Sequence, residues 1–456
     1  MSRLARALYS ALMVCAQPLL RAKLRRRGET EPGYLEAVPE RFGHYPPALD
    51  SIAGPNDAVP DDEAPLIWLH AVSLGETRAA AILLAELRTL LPHLRLLLTH
   101  GTATGRAEGA KLLRPGDMQV WQPWDTPGAV GRFLDTFRPS IGVLMETEIW
   151  PNLVAGCRQR GIPLVLANGR LNDKSLAGAL RWSWLARPAY AGLAAVWAQT
   201  EADADRLRAA GARVDGVFGN LKFDTVPDAA QLAQGRAWRD AAGRPVLLLA
   251  SSREGEEALW LDALMANRSK ALDTPSLDAI ESIANHHDAV QWLVVPRHPQ
   301  RFADVRQLIE GAGLTVSCRS DWAASPGAAD VWLGDSLGEM ALYYGLSHAA
   351  LLGGSFEPLG GQNLIEAAAC GCPVVTGPHT FNFAEAARLA CEAGAALRVA
   401  DMAEGIATAT RLVHDPDRLQ ATQDEALAFT RAHRGAALSS AMAVVQMLRL
   451  PAQVGD

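Results

Sequence analysis

The sequence lacks the features that mark several large classes of protein. It has no low-complexity tract, and 49% hydrophobic with 20% charged residues excludes an intrinsically disordered chain. It has no uninterrupted apolar run of the ~20 residues that a spanning helix needs. The nearest approach, LARALYSALMVCAQPLL at residues 4–20, is shorter, carries Arg6 and meets Pro18 near its end. No small-residue cleavage site follows it, which argues against a removed secretory signal. Cysteine is scarce, with six in 456 residues. Cys370-Gly371-Cys372 is too tight for the usual zinc pair and no CxxC or HxxxH complements it, so no structural metal is expected. Isolated thiols in apolar stretches read as reduced core cysteines of a cytosolic body. Neither GxGxxG with an acid downstream nor a GK[ST] loop is present, which disfavours NAD and Walker-type nucleotide binding.

The charge that is present is unevenly placed. The 43 Lys and Arg against 50 Asp and Glu give −7, yet residues 1–28 hold seven basic and no acidic residues, leaving −14 on the remainder. A basic, apolar head on an acidic body suits a membrane surface and not nucleic acid. Residues 1–28 therefore read as a membrane-associated helix. One form is a single-span anchor with Arg21–Arg27 on the cytoplasmic side. The other is an amphipathic helix lying in the interface, which Arg3 and Arg6 at its other end favour. An ordinary surface helix is the plain alternative.

Beyond a Pro- and Asp-rich loop at 51–65, short apolar runs alternate with helix-length amphipathic segments. Strands are expected at Leu66–Val72, Leu94–Thr99, Ile141–Met145, Leu164–Ala167 and Ala194–Ala198. After a polar pause near Asp224–Gly243 they resume at Val246–Ala250, Leu293–Val295, Val331–Leu333, Ala350–Gly353 and Val374–Thr376. This alternation predicts an α/β fold of two doubly wound parallel sheets. The expected domains are 29–225 and 226–456, the second including a terminal helix at Ala436–Leu450. Residues 267–288 read as an insertion or extended helical hairpin. Ligands of such sheets bind outside the carboxyl ends of the strands, so the two halves are expected to share a cleft.

Polar residues gather at those strand ends. In HAVSLGET (70–77) Glu76 sits in the first helical turn, as a complement to the helix dipole or as a general base for a substrate hydroxyl. METEIWPN (145–152) offers Glu146 and Glu148, of which alternation lets one follow the strand end. In GNLKFD (219–224) Lys222 either pairs with Asp224 at the surface or neutralises a phosphate. Ser251 or Ser252 of SSREGEE can cap a helix, with Glu254 or Glu256 in its first turn. VVPRHPQRF (294–302) places Arg297 at a strand end, where it can fork onto a phosphate. GGSFEPLGGQNLIEAA (353–368) combines Gly360-Gly361, whose backbone can approach a phosphate closely, with Asn363 opening a helix and Glu366 placed to accept from ribose hydroxyls.

HAVSLGET, METEIWPN, GNLKFD, PRHPQRF, LGDSLGEM, GGQNLIEAA and GPHTFNF, in this order, resemble the bacterial 3-deoxy-D-manno-octulosonic acid (Kdo) transferases of lipopolysaccharide assembly. The resemblance runs to about residue 430. It implies a GT-B architecture, CMP-Kdo as donor, a phosphorylated, acylated lipid A precursor (lipid IVA) as acceptor, and an inner-membrane attachment with the catalytic body in the cytoplasm. It implies an inverting, metal-independent transfer with no cofactor beyond the donor. By the same resemblance Glu76 matches the catalytic base, and Glu146 and Lys222 match transition-state stabilisers. Pro296 and Arg297, then Leu337, Gly338 and Glu339, then Asn363, Leu364, Ile365 and Glu366 match three stretches of the CMP site. Arg253 stands where many relatives carry His, and 267–288 is longer than the family suggests. The competing enzyme reading is a GT-B transferase or epimerase using a UDP-sugar. The competing non-enzymatic reading is a membrane-bound nucleotide-sugar sensor, against which the retained Glu76, Glu146 and Lys222 speak.

Overall fold

The computed structural model describes residues 2–46, 64–147, 149–272 and 290–449. Most of the expected loop at 51–65, Glu148, and residues 273–288 of the expected insertion lie outside them. Residues as far as Leu272 continue the helix Glu256–Leu272. The chain divides into two units. One runs to Asp224 and takes in the segment from Arg434, and the other is Thr225–His433.

The first unit holds a seven-stranded sheet ordered β3-β2-β1-β4-β5-β6-β7. Its strands are β1 Leu66–His70, β2 Arg95–His100, β3 Met118–Trp121, β4 Ile141–Met145, β5 Leu164–Gly169, β6 Ala195–Ala198 and β7 Gly216–Val217, and every pairing is parallel. The central strands are buried along their whole length, as a sheet covered on both faces requires. Side chains alternate between two cores. Leu66, Trp68, Leu97 and Leu144 meet Phe133, Phe137 and Leu153 on one face. Ile67, Leu69, Leu98 and Val143 meet Leu83, Leu87 and Val444 on the other. Glycine in β4 makes room for Trp68, since a methyl on Gly142 would lie 2.6 Å from its ring. The helices after five of these strands open on an N-cap whose side chain accepts a backbone N–H: Ser73, Thr102, Thr126, Asn172 and Thr200. Each cap satisfies one amide that the first turn would otherwise leave bare.

The second unit repeats the plan in the order β10-β11-β9-β8-β12-β13-β14. These are β8 Val246–Ser252, β9 Gln291–Pro296, β10 Val316–Cys318, β11 Val331–Leu333, β12 Ala349–Leu352, β13 Val374–Thr376 and β14 Ala396–Arg398, again all parallel. The order reverses at β1/β4 in the first sheet and at β8/β12 in the second, where β11 also lies between β9 and β10. That reversal opens a crevice at the strands' carboxyl ends.

Two expectations about the termini change. Residues 2–30 form two helices, Ser2–Cys15 and Gln17–Thr30, with Pro18 in the first turn of the second. Among the described residues no helix is long and apolar enough to cross a membrane. The terminal helix Ala436–Arg449, expected with the second domain, packs instead on the first unit. Its small face of Ala436, Ala437, Ala441 and Val444 is buried against the helix Leu74–Leu90. Asp224 secures its start, accepting from Gly435 N–H at 2.6 Å and Ala437 N–H at 2.7 Å. Asp224→Ala should therefore cost about 1–2 kcal/mol, the range of a lost N-cap. Urea unfolding would measure it, and limited proteolysis should release the C-terminal helix first.

Candidate functional site

The switch point of the first sheet gathers the acidic residues singled out in the sequence. β1 ends at His70, short of the expected Val72, because the Val72 N–H turns to donate to Glu76 Oε2 at 2.7 Å. Ser73 Oγ donates to Glu76 Oε1 at 3.2 Å and accepts from the Glu76 N–H at 3.4 Å. This reciprocal Ser-x-x-Glu arrangement is a capping box with the carboxylate reaching one residue further back. It fixes a half-buried carboxylate at the carboxyl end of β1. Beneath it His70 Nδ1 lies 2.9 Å from Thr99 Oγ1, which also accepts from Trp68 Nε1 at 2.8 Å. Burial, reinforced by His100, holds His70 down at about 3, so this ring stays neutral and braces the strand end.

Glu146 follows β4, the strand hydrogen-bonded to β1. Its φ of +60° is left-handed, a conformation rare for a residue with a long side chain and found preferentially at working sites. Two bonds hold it there. Its N–H donates to Ala167 O at 3.1 Å, and its carbonyl accepts from Arg170 N–H at 3.2 Å. Its carboxylate is 12% exposed and faces two cations, Lys222 Nζ at 4.0 Å and Arg170 Nη1 at 3.9 Å. Of the two alternatives for Lys222, pairing with Asp224 is displaced, since both oxygens of Asp224 serve the terminal helix.

Asn168 and Arg170, which sequence reasoning passed over, organise this cluster. Asn168 is buried at the end of β5 with φ +52°. Its Oδ1 accepts from Leu221 N–H at 3.1 Å, and its carbonyl from Gln199 Nε2 at 3.0 Å. It thereby sets the 3-10 turn Leu221–Asp224 that carries Lys222. The Asn-Gly pair closing an apolar run was the available signal, because asparagine tolerates left-handed backbone.

The second unit collects the other candidates at its own switch point. Pro296 is the last residue of β9, and the Arg297 N–H donates to Ser252 O at 2.9 Å. Ser251, the penultimate residue of β8, has left-handed backbone, φ +54°. A methyl on Gly353 would lie 2.3 Å from the Ser251 carbonyl oxygen, so β8 and β12 come together only around glycine. Neither expected serine role is what the segment uses: Ser252 Oγ donates to Glu257 at 2.6 Å. Leu337 is exposed, Gly338 has φ +81°, and Glu339 pairs with Arg319 at 2.8 Å. Asn363 caps its helix as expected, accepting from Ile365 N–H at 3.2 Å. Leu364 and Ile365 are fully buried core residues, so only their backbone is available to a ligand. Glu366 lies in the first turn behind them, half-buried. Basic groups crowd this end of the sheet: burial, then Arg253 and Arg297, push His298 below its ordinary value.

Residues 36–225 match the family model described as 3-Deoxy-D-manno-octulosonic-acid transferase (kdotransferase). The chain is 44% identical over 441 residues to the 3-deoxy-D-manno-octulosonic acid transferase of Bordetella pertussis, covering 94% of this chain and 96% of that one. Among solved structures it is similar to a glycosyltransferase from Rickettsia africae, with TM-score 0.54, 13% identity, and 85% of this chain and 100% of that one covered. It is also similar to the UDP-GlcNAc 2-epimerase of Neisseria meningitidis bound to UDP-GlcNAc, with TM-score 0.52, 14% identity, and 84% and 99% covered. These two likenesses show a shared fold.

Proposed function

This chain belongs to the 3-deoxy-D-manno-octulosonic acid transferase family, and from that premise we propose that it is an inverting glycosyltransferase of lipopolysaccharide inner-core assembly. The donor is CMP-Kdo and the acceptor a hydroxyl of a phosphorylated, acylated lipid A precursor of the lipid IVA type. The observation that carries this reading is the clustering at β1/β4. A fixed carboxylate, Glu76, stands at one strand end, and the strained, doubly paired Glu146 with Lys222 stands at the neighbouring one.

In this reading Glu76 accepts the proton of the acceptor hydroxyl as its oxygen bonds the anomeric carbon of Kdo. The bond from that carbon to the CMP phosphate breaks, and CMP departs with the electron pair. A positioned base contributes about 10²–10⁴-fold to such a step. Lys222, held by Glu146, offsets negative charge developing in the transition state. Arg297 and the backbone around Gly360-Gly361 and Asn363 hold the CMP moiety, with Glu366 on the ribose. These basic groups take the place of a divalent cation. Incubation with CMP-Kdo and a tetraacylated lipid A precursor, followed by mass analysis, tests donor and acceptor together. A product heavier by Kdo is expected, and an unchanged acceptor would reject the reading. Titration with CMP against UDP separates it from a UDP-sugar enzyme.

The acceptor is an amphiphile, and the N-terminal helices suit a membrane surface. Leu4, Leu8 and Leu12, spaced four apart on one helical face, are 79%, 67% and 66% exposed. The helix they belong to packs against Ser183–Tyr190, which with the preceding turn leaves Trp182 and Trp184 exposed. We place these apolar groups in the headgroup boundary of the inner membrane, the basic residues of 1–28 on anionic lipid and the catalytic body on the cytoplasmic side. Each buried leucine is worth about 1.5–3 kcal/mol. A Leu4→Ser, Leu8→Ser, Leu12→Ser triple variant should therefore bind phosphatidylglycerol-containing vesicles at least tenfold more weakly in sedimentation, with CMP affinity unchanged. Equal sedimentation of the two proteins would remove the membrane assignment from this helix.

A further inference from the structure

Two adjacent carboxylates open the helix Glu256–Leu272, and both are buried. An uncompensated buried carboxylate is costly, so each must be repaid by hydrogen bonds or an opposite charge. Among the described residues no Lys or Arg side chain pairs with Glu256, and backbone amides hold it instead. Its Oε2 accepts from Gly354 N–H at 2.6 Å and Arg253 N–H at 2.9 Å, and its Oε1 from Phe356 N–H at 3.1 Å. The Glu357 N–H also bonds it. Its partners are thus backbone amides of the turns after β8 and β12, the two strands at the switch point. Glu257 does the equivalent for β9. Its Oε1 accepts from Ser252 Oγ at 2.6 Å and Arg301 Nη1 at 2.9 Å, and its Oε2 from Arg301 Nη2 at 2.8 Å. Arg301 closes the 3-10 turn that follows Pro296-Arg297-His298.

We propose that Glu256 is a positioning residue for the donor nucleotide, with Glu257 as its companion: together they lock the turn after β12 and the Pro296–Arg301 turn to the end of β8, so that the nucleotide meets a preformed surface. The inference rests on the CMP-donor reading above. A carboxylate binding three or more amides of a glycine-bearing turn fixes peptide planes that have no side chains to fix them. The turn needs such fixing. Gly354, Gly360 and Gly361 all have positive φ, and glycine gains the most freedom when released. The far end of the turn is tied to its own start, through Gly361 N–H to Gly354 O at 2.7 Å and Gln362 N–H to Gly353 O at 3.0 Å, and to Asn382, whose N–H donates to Gly360 O at 2.9 Å and whose Nδ2 donates to Leu359 O at 3.1 Å. Losing the hold on Gly354 therefore leaves the stretch up to Asn363 with Asn382 as its outside attachment and frees the end that joins β12. Preorganised binding surfaces lose affinity when their supports are loosened, because the ordering must then be met on binding.

Glu256→Gln keeps the volume but turns an N–H₂ toward amides that need an acceptor, and Glu256→Asp withdraws the carboxylate by one methylene. Both should raise the Kd for CMP and the KM for CMP-Kdo about tenfold or more, with the KM for the lipid acceptor unchanged. Glu257→Gln, which leaves Arg301 half-paired, should do the same to a smaller extent. Leu264→Ala, in the core of the same helix, serves as the control, lowering Tm without raising the Kd for CMP. Should Glu256→Gln fail to fold, the aspartate variant carries the test. Unchanged CMP affinity in a folded Glu256 variant, or an equal loss in Leu264→Ala, would overturn the positioning role. A wild-type protein that does not bind CMP would overturn the donor reading itself.

Discussion

Glu76→Gln is expected to lower transfer by about 10²–10⁴-fold, the contribution of a positioned general base, while the melting temperature changes little. The two halves of that expectation come from different atoms. The cap needs an acceptor for the Val72 N–H, which Glu76 supplies at 2.7 Å, and a partner for Ser73 Oγ, supplied at 3.2 Å. Glutamine meets both demands: its carbonyl oxygen accepts from Val72, and its amide donates to a serine hydroxyl turned round. What glutamine lacks is basicity. Ser73→Ala provides the converse, removing an N-cap at about 1 kcal/mol and leaving the carboxylate its backbone partner, so stability should fall further than turnover. If Glu76 only closed the helix, the order would reverse, with the glutamine variant active and the Ser73 variant the more impaired. Mass analysis of the acceptor together with thermal unfolding distinguishes the two.

The same contrast explains which parts of the molecule could be read from its residues. The inner strands were legible because a parallel strand covered on both faces is a continuous apolar run, as in LIWLH and IGVLM. The four strands that escaped, β3, β7, β10 and β14, are the outermost of their sheets. Gly216–Val217, Val316–Cys318 and Ala396–Arg398 have two or three residues, partly solvated, and Met118–Trp121 holds a glutamine. Edge strands are kept short and polar to discourage pairing with other chains, which removes the pattern that would reveal them. The site divides likewise. Glu76 was legible as an acid in the first helical turn directly after a strand, and its partners Val72 and Ser73 lie in the same short segment. Glu256 looked like one more first-turn acid, since its partners are peptide groups 98 and 100 residues away and backbone amides leave no mark on a sequence. Asp224 looked like the neighbour of Lys222, yet it binds a helix start 211 residues distant.

Lys222→Met is expected to reduce turnover by about 10²–10³-fold, the loss that follows removal of one preorganised stabiliser of transition-state charge. The fold should tolerate it. Lys222 is carried by a turn held through the backbone, Leu221 N–H to Asn168 Oδ1 at 3.1 Å, so the substitution leaves that support in place. Glu146 is not stranded either, because Arg170 still faces it at 3.9 Å. Lys222→Arg should recover part of the activity by restoring a cation. The instructive measurement is the double variant with Glu146→Gln. If the carboxylate's task is to aim and hold the ammonium 4.0 Å away, its loss matters little once the ammonium is gone. The double variant should then be about as slow as Lys222→Met alone, well short of the product of the two single losses. Multiplying losses would mean that Glu146 acts on the reacting groups by its own route. Losses that merely followed the fall in Tm would reduce the pair to a structural contact, and the left-handed backbone at Glu146 would then have no chemical counterpart.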